Sequence, residues 1–152
     1  LKSLLSIAVV DSNYNHDEQV EALQNDFLAY AGTGDKHEVV DVDTSLLSGD
    51  DYNTVVKMTV VMGAGTADMM FCGEETYKKY KQQEAFLSWK EILGDDYSKY
   101  EEYMTDDGRL DLEKCPNWEK YNMVYYSPVY AVVMSSSKNL ENCIKFLEMM
   151  VQ

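Results

Sequence analysis

The sequence predicts an α/β fold, a three-layer, open, mainly parallel sheet forming a single lobe over residues 1–152. Three observations point there. Asn53 to Cys72 (NTVVKMTVVMGAGTADMMFC) has the pattern of a helix that passes through Gly63 and Gly65 directly into a strand. Ala67 to Cys72 is almost continuously apolar, as in a strand covered on both faces, and such strands belong to parallel sheets. Before it, strand and helix patterns alternate as βαβαβ, which implies parallel strands joined by right-handed crossovers.

Each element has its own signal. Leu4 to Val10 (LLSIAVV) is a first strand, and its exit loop is the polar run Asp11 to Asn15. Asn15 with Glu18 makes a capping pattern, and Val20, Leu23, Phe27, Leu28 and Ala31 repeat at helical spacing, so the first helix spans about His16 to Tyr30 until Gly32 and Gly34 stop it. His37 to Asp43 (HEVVDVD) is a second strand with Val39, Val40 and Val42 inward. Thr44 and Ser45 then lead to a turn at Gly49. Asp50 or Asp51 caps the next helix, on which Tyr52, Val55, Val56, Thr59, Val60 and Gly63 share one face.

Glu74 begins a helix reaching about Gln83, and Ala85 to Trp89 is a brief apolar return. From Glu91 to Asn122 acids interleave with tyrosines, the pattern of short helices and loops lying on the surface. Tyr125 to Met134 is a strand in which Pro128 marks an edge, a bulge or the strand start. Asn139 caps a last helix whose stripe of Leu140, Cys143, Ile144, Leu147, Met150 and Val151 docks on the sheet.

Charge narrows the function. A net charge of −14 repels a phosphate backbone and an anionic membrane face, so nucleic acid is not an expected partner. Cys72, Cys115 and Cys143 have no zinc spacing. Cys72 and Cys143 read as small buried apolar residues and Cys115 as a loop residue, with one disulfide pair left open. No apolar run approaches the length of a membrane span, and the chain begins at Leu1, as a trimmed fragment would, with its leader or anchor upstream.

Chemical motifs are sparse. GAGTAD at Gly63 to Asp68 holds a GxG, but after a helix and before a strand, the reverse of a dinucleotide fingerprint, so no cofactor is expected. TDDGRLDLE at Thr105 to Glu113 lacks first-position and closing ligands of a calcium loop, and Asp11, Asn13 and Asn15 lack its glycine and glutamate; both read as solvated acidic loops. His16 and His37 sit near no candidate nucleophile, His16 reading as an exposed first-turn residue, and no GxSxG is present. An enzyme is not expected.

Topology supplies the site instead. Ligands of open parallel sheets sit beyond the carboxyl ends of the strands, here Asp11 to Asn15, Asp43 to Ser48 and Cys72 to Glu75. The helices that follow begin with acids that already occupy the positive helix ends, which favours a neutral or cationic ligand over an anionic one. Candidate ligand-binding residues are therefore Asp11, Ser12, Asn13, Tyr14, Thr44, Ser45, Gly73 and Glu74, with no metal site.

VVDVDTSLLSGD, then NTVVKMTVVMGAGTADMMFCGEETYKKYKQQEAFLSW, then YSPVYAVVMSSSKNLENCIKFLEMM, in that order, resembles the type II extracellular solute-binding proteins of bacterial ABC uptake systems. The likeness covers Leu4 to about Trp89 and Pro128 to Gln152. In that family a second lobe is inserted between the AFLSW-like return and the closing strand, and only about Glu91 to Val124 fills that interval here, so the chain resembles the first lobe alone. The resemblance implies secretion, a membrane tether carried by a segment outside this chain, and a small polar solute such as a sugar, peptide or polyamine. The alternative expectation is a cell-surface interaction or sensory module whose partner is a membrane protein.

Overall fold

In the computed structural model, which describes residues 1–152, the chain runs β1 (Lys2–Val10), α1 (Asp17–Ala31), β2 (Glu38–Leu46), α2 (Tyr52–Ala64), β3 (Met69–Cys72), α3 (Glu74–Lys81), β4 (Phe86–Leu87), α4 (Trp89–Leu93), β5 (Leu110–Asp111), β6 (Tyr130–Met134) and α5 (Leu140–Val151), with short 3-10 helices between Gly94 and Tyr121. The strands form one open six-stranded sheet of order β2-β1-β3-β6-β4, with β5 beside β4 on the same flank of β6. β1 is parallel to β2 and β3, whereas β6 is antiparallel to β3, β4 and β5. Five strands thus run one way and β6 alone runs back. The protein is a mixed α/β fold with a mostly parallel open sheet.

Pleating explains why both sheet faces are covered. Successive side chains of a strand point to opposite faces, so Met69 and Phe71 of β3 join one core with Ile7, Val9, Ala131 and Val133, while Met70 and Cys72 join a second with Ala8, Val10, Val132 and Met134. α1 and α5 close the first core through Leu23, Phe27, Phe146 and Leu147. α2 and α3 close the second through Met58, Tyr77 and Tyr80. Each fully buried valine, leucine, isoleucine, phenylalanine or methionine contributes roughly 1.5–3 kcal/mol of transfer free energy, so β3, buried at all four positions, anchors both layers.

Several expectations need correction. β2 continues to Leu46, so Thr44 and Ser45 belong to the strand rather than to its exit loop, and only Val40 of its three valines is buried because β2 lies at the sheet edge. The first helix has His16, not Asn15, at its N-cap, without a side-chain cap bond; His16 is half-buried rather than exposed. Asp51 caps α2, accepting from the Thr54 N–H at 3.2 Å, and Gly65 alone provides the left-handed exit.

The α2 face carrying Tyr52, Val56, Thr59, Val60 and Gly63 points to solvent, with Val55 half-buried, and the helix packs inward through Met58. An inward face built on 54, 58, 61 and 62 has the same helical period, and in a helix that is apolar nearly all round periodicity does not decide between faces. Asn139 occupies the N-cap of α5, but its side chain turns to Asp68 instead of capping.

The segment between β4 and β6 is the largest revision. The pattern from Glu91 to Asn122 predicts short helices lying on the surface, yet Leu93, Met104, Leu110, Leu112, Cys115, Trp118 and Tyr121 within it, with Trp89, Met123 and Val124 at its ends, are buried in the same core as β1 and α5. Trp89 is fully buried and its indole N–H donates to the Ala131 carbonyl at 3.0 Å. Trp118 meets Phe71 edge-on at 5.5 Å. Cys72, Cys115 and Cys143 are all buried free thiols, each pushed up to about 12 chiefly by burial.

At the amino end of β3, Asp68 is buried and tied to three elements. Its carboxylate accepts from the Ser6 N–H at 2.9 Å, the Ser137 hydroxyl at 2.8 Å and the Asn139 amide at 3.2 Å. A buried carboxylate is tolerable only with such partners.

Candidate functional site

The opposite end of the sheet is where the strand exits gather. At Asp11 the chain leaves β1 with φ 52, a left-handed turn uncommon outside glycine that aspartate tolerates better than most residues. The turn aims the carboxylate at the exit of β2, where it accepts from both the N–H and the hydroxyl of Ser48 at 3.1 and 2.5 Å. β3 exits at Gly73, the N-cap of α3. Its lack of a side chain leaves room for the Tyr126 ring, 3.3 Å from where a Cβ would stand. The exits of the three parallel strands therefore lie along one rim, and the approach to β6 lies against them.

Between them is a cavity of about 300 Å³ lined by Asp11, Ser48, Gly73, Glu74, Glu75 and Thr76 on the strand-exit side, with residues 125–128 opposite. A second depression of about 260 Å³ shares Ser48, Glu75 and Thr76 and extends the trough toward Asp50 and Lys79, which form an ion pair at 2.9 Å. The Tyr125–Pro128 wall is fastened by the Tyr126 hydroxyl, which donates to the Val10 carbonyl at 2.7 Å. Burial pushes that phenol well above its usual range. Tyr125 stands edge-on to it at 5.9 Å and remains 73% exposed, a ring free to meet a ligand.

The carboxylates of the cavity differ in state. Glu74 accepts from the Tyr130 hydroxyl at 2.8 Å and from Arg109 at 2.7 Å; these bonds, Tyr130's first, hold its carboxyl below the usual glutamate range despite partial burial. Asp11 has both oxygens occupied by Ser48. Glu75 is exposed on the rim. The lining thus offers acceptor oxygens, hydroxyls of Ser48, Thr76 and Ser127, and a tyrosine face, and it contains neither histidine nor cysteine. No group of three or more His, Cys, Asp or Glu side chains is placed to hold a metal ion.

Of the sequence-derived candidates, Asp11, Gly73 and Glu74 line this cavity. The other five lie elsewhere. Ser12 donates its hydroxyl to the Thr44 carbonyl at 3.0 Å and bridges to Val124, and the Asn13 N–H donates to Met123. Tyr14 is 99% exposed, away from the lining. Thr44 lies within β2, and Ser45 there bonds to Asp43 and Lys57. Ser48 and Glu75 lie inside the exit loops expected to hold the ligand but were not among the named candidates, and sequence reasoning missed Thr76 and the Tyr125–Pro128 wall. Thr76 was within reach, since it follows directly on an expected exit. The wall was not, because it belongs to a strand expected to begin at Tyr125, and only the insertion of β6 beside β3 carries it to the rim.

TDDG, weighed as a calcium loop, is the turn of a small hairpin closed by a Met104–Leu110 bridge, and its Asp107 pairs with Arg109 at 2.9 Å. No family model, no curated protein and no solved structure matches the chain.

Proposed function

We propose that the chain is a solute-binding-protein-like lobe that takes a small neutral or cationic polar solute at its strand exits, at the cell surface and tethered through a segment outside this chain. The observation that carries the reading is the cavity of about 300 Å³, because its walls come from the exits of all three parallel strands and from the approach to β6. Strand order adds support: β6 enters between β3 and β4, reversed, after the interval in which the resembling family carries its second lobe. Carboxylates without a free cationic partner in the lining favour neutral or cationic groups, and Tyr125 suits the apolar face of a sugar or an amine.

One open wall buries one side of a solute, and the cavity is at the small end of the roughly 300–1,000 Å³ of ligand pockets, so affinity is weak until another body covers the site. The test is a thermal-shift screen of sugars, short peptides and polyamines at millimolar concentration. A rise in melting temperature for one class, lost in Tyr125→Ala, supports the reading. No rise with any class defeats it and favours a surface interaction module with a membrane-protein partner. The observation behind that second reading is the exposed, uncharged stripe of Tyr52, Val56 and Val60 along α2.

A further inference from the structure

Arg109, the only arginine of the chain, is enclosed in a way an ordinary surface ion pair is not. Its guanidinium carbon lies 4.3 Å from the Tyr77 ring centroid and 4.6 Å from that of Tyr130, so the flat cation is held by two aromatic rings. One terminal nitrogen donates to Glu74 Oε2 at 2.7 Å and Nε donates to Asp107 Oδ1 at 2.9 Å, leaving the side chain 14% exposed. The acceptors are oriented by other groups. The Tyr130 hydroxyl donates to the same Glu74 oxygen, and the Thr105 hydroxyl donates to Asp107 Oδ1 at 2.6 Å.

The rings are fixed independently as well. Tyr77 stacks on Phe86 at 5.5 Å with 12° between planes, and Tyr130 sits in β6 between its partners Cys72 and Asp111. Three walls, Tyr77, Tyr130 and Glu74, therefore stand on α3 and β6, whereas Asp107 travels with the Thr105–Arg109 turn. Beside this cation, the turn is gripped by the Trp89 N–H, which donates to the Gly108 carbonyl at 3.0 Å, and by Leu110, which follows it into β5 and is fully buried. Gly108 lets it pass Ser88 at φ 81, where a Cβ would lie 2.1 Å from the Ser88 hydroxyl. A guanidinium, weakly hydrated and planar, suits two rings and a carboxylate better than an ammonium does.

We propose that Tyr77, Tyr130 and Glu74 form a standing guanidinium-binding site, filled in cis by Arg109, and that the filled site is a side-chain latch on the Thr105–Arg109 turn, added to the backbone and core contacts that hold it. An alkylguanidinium, or an arginine side chain from another molecule, fills the same site once Arg109 is withdrawn. Glu74 also lines the solute cavity, so the latch sets how much of its charge that cavity presents.

The test is chemical rescue. Arg109→Ala is expected to melt roughly 5 °C below the unaltered chain, and methylguanidinium at about 10 mM is expected to restore at least half of that loss. The same concentration should leave the unaltered chain unchanged, since its site is full, and should not raise R109A/E74Q. Urea at equal concentration should rescue neither. If R109A does not fold, R109Q takes its place with the same expectations. Absence of rescue, or equal rescue in R109A/E74Q, overturns the proposal. The outcome is independent of the solute screen, which reads the unaltered chain with its latch in place.

Discussion

The Tyr126 hydroxyl donates to the Val10 carbonyl oxygen at 2.7 Å, so the wall of the cavity hangs from the last residue of the first strand. Removing the hydroxyl leaves a buried acceptor short of a donor. Tyr126→Phe is expected to cost about 1–2 kcal/mol in urea unfolding and to weaken any solute-induced thermal shift. An unchanged unfolding midpoint would show that the wall is held by packing alone.

Asp68 is the corresponding tie at the other end of the sheet. Asp68→Ala strips acceptors from Ser6, Ser137 and Asn139 together, and a loss of about 3 kcal/mol is expected. Asp68→Asn keeps one carbonyl oxygen for those donors and should lose less. If the two variants unfold alike, the hydrogen bonds are not what the carboxylate contributes.

Acid stability should report the latch. For Asp107, burial works to raise the pKa but is outweighed by hydrogen bonds from Thr105 and Arg109 and by the guanidinium charge, which together carry it down to about 2. Glu74 is also held low, first by Tyr130. A carboxylate depressed in the folded state stabilises above its unfolded pKa and loses that contribution as pH falls through the folded value. The stability gap between the unaltered chain and R109Q should therefore be full at neutral pH and shrink between about pH 4 and pH 2. Urea titrations at both ends of that window check it, and a gap independent of pH would count against the ion pairs.

The two faces of α2 should behave oppositely. Met58→Ala opens a cavity in the second core and is expected to cost about 2–5 kcal/mol. Val60→Lys, on the 60% exposed outer face, should stay within about 0.5 kcal/mol. Equal losses would mean that the outer face is covered in solution.

Much of the architecture was legible because it is written locally. The apolar run ending at Cys72 marked the strand buried on both faces, Leu23 and Phe27 marked the inner side of α1, and Cys143, Leu147 and Met150 marked that of α5. Of the site, Asp11, Gly73 and Glu74 were legible because a strand exit is set by where an apolar run stops. Arg109 was not. Its ring partners lie 32 and 21 residues away in sequence, and no short-range pattern links them.

By itself the sequence determined the kind and order of the principal elements, since hydrophobic period and helix and turn signals act over a few residues. It also determined a strongly acidic surface, which composition alone sets. Only the tertiary structure decided that β6 slips between β3 and β4, that α2 turns Met58 inward, that residues 89–124 build core instead of covering it, and that residues 125–128 wall the cavity. The physical reason is one of range: a side chain's spacing along its own strand or helix is a local property, whereas its neighbours are chosen by packing between segments far apart in the chain.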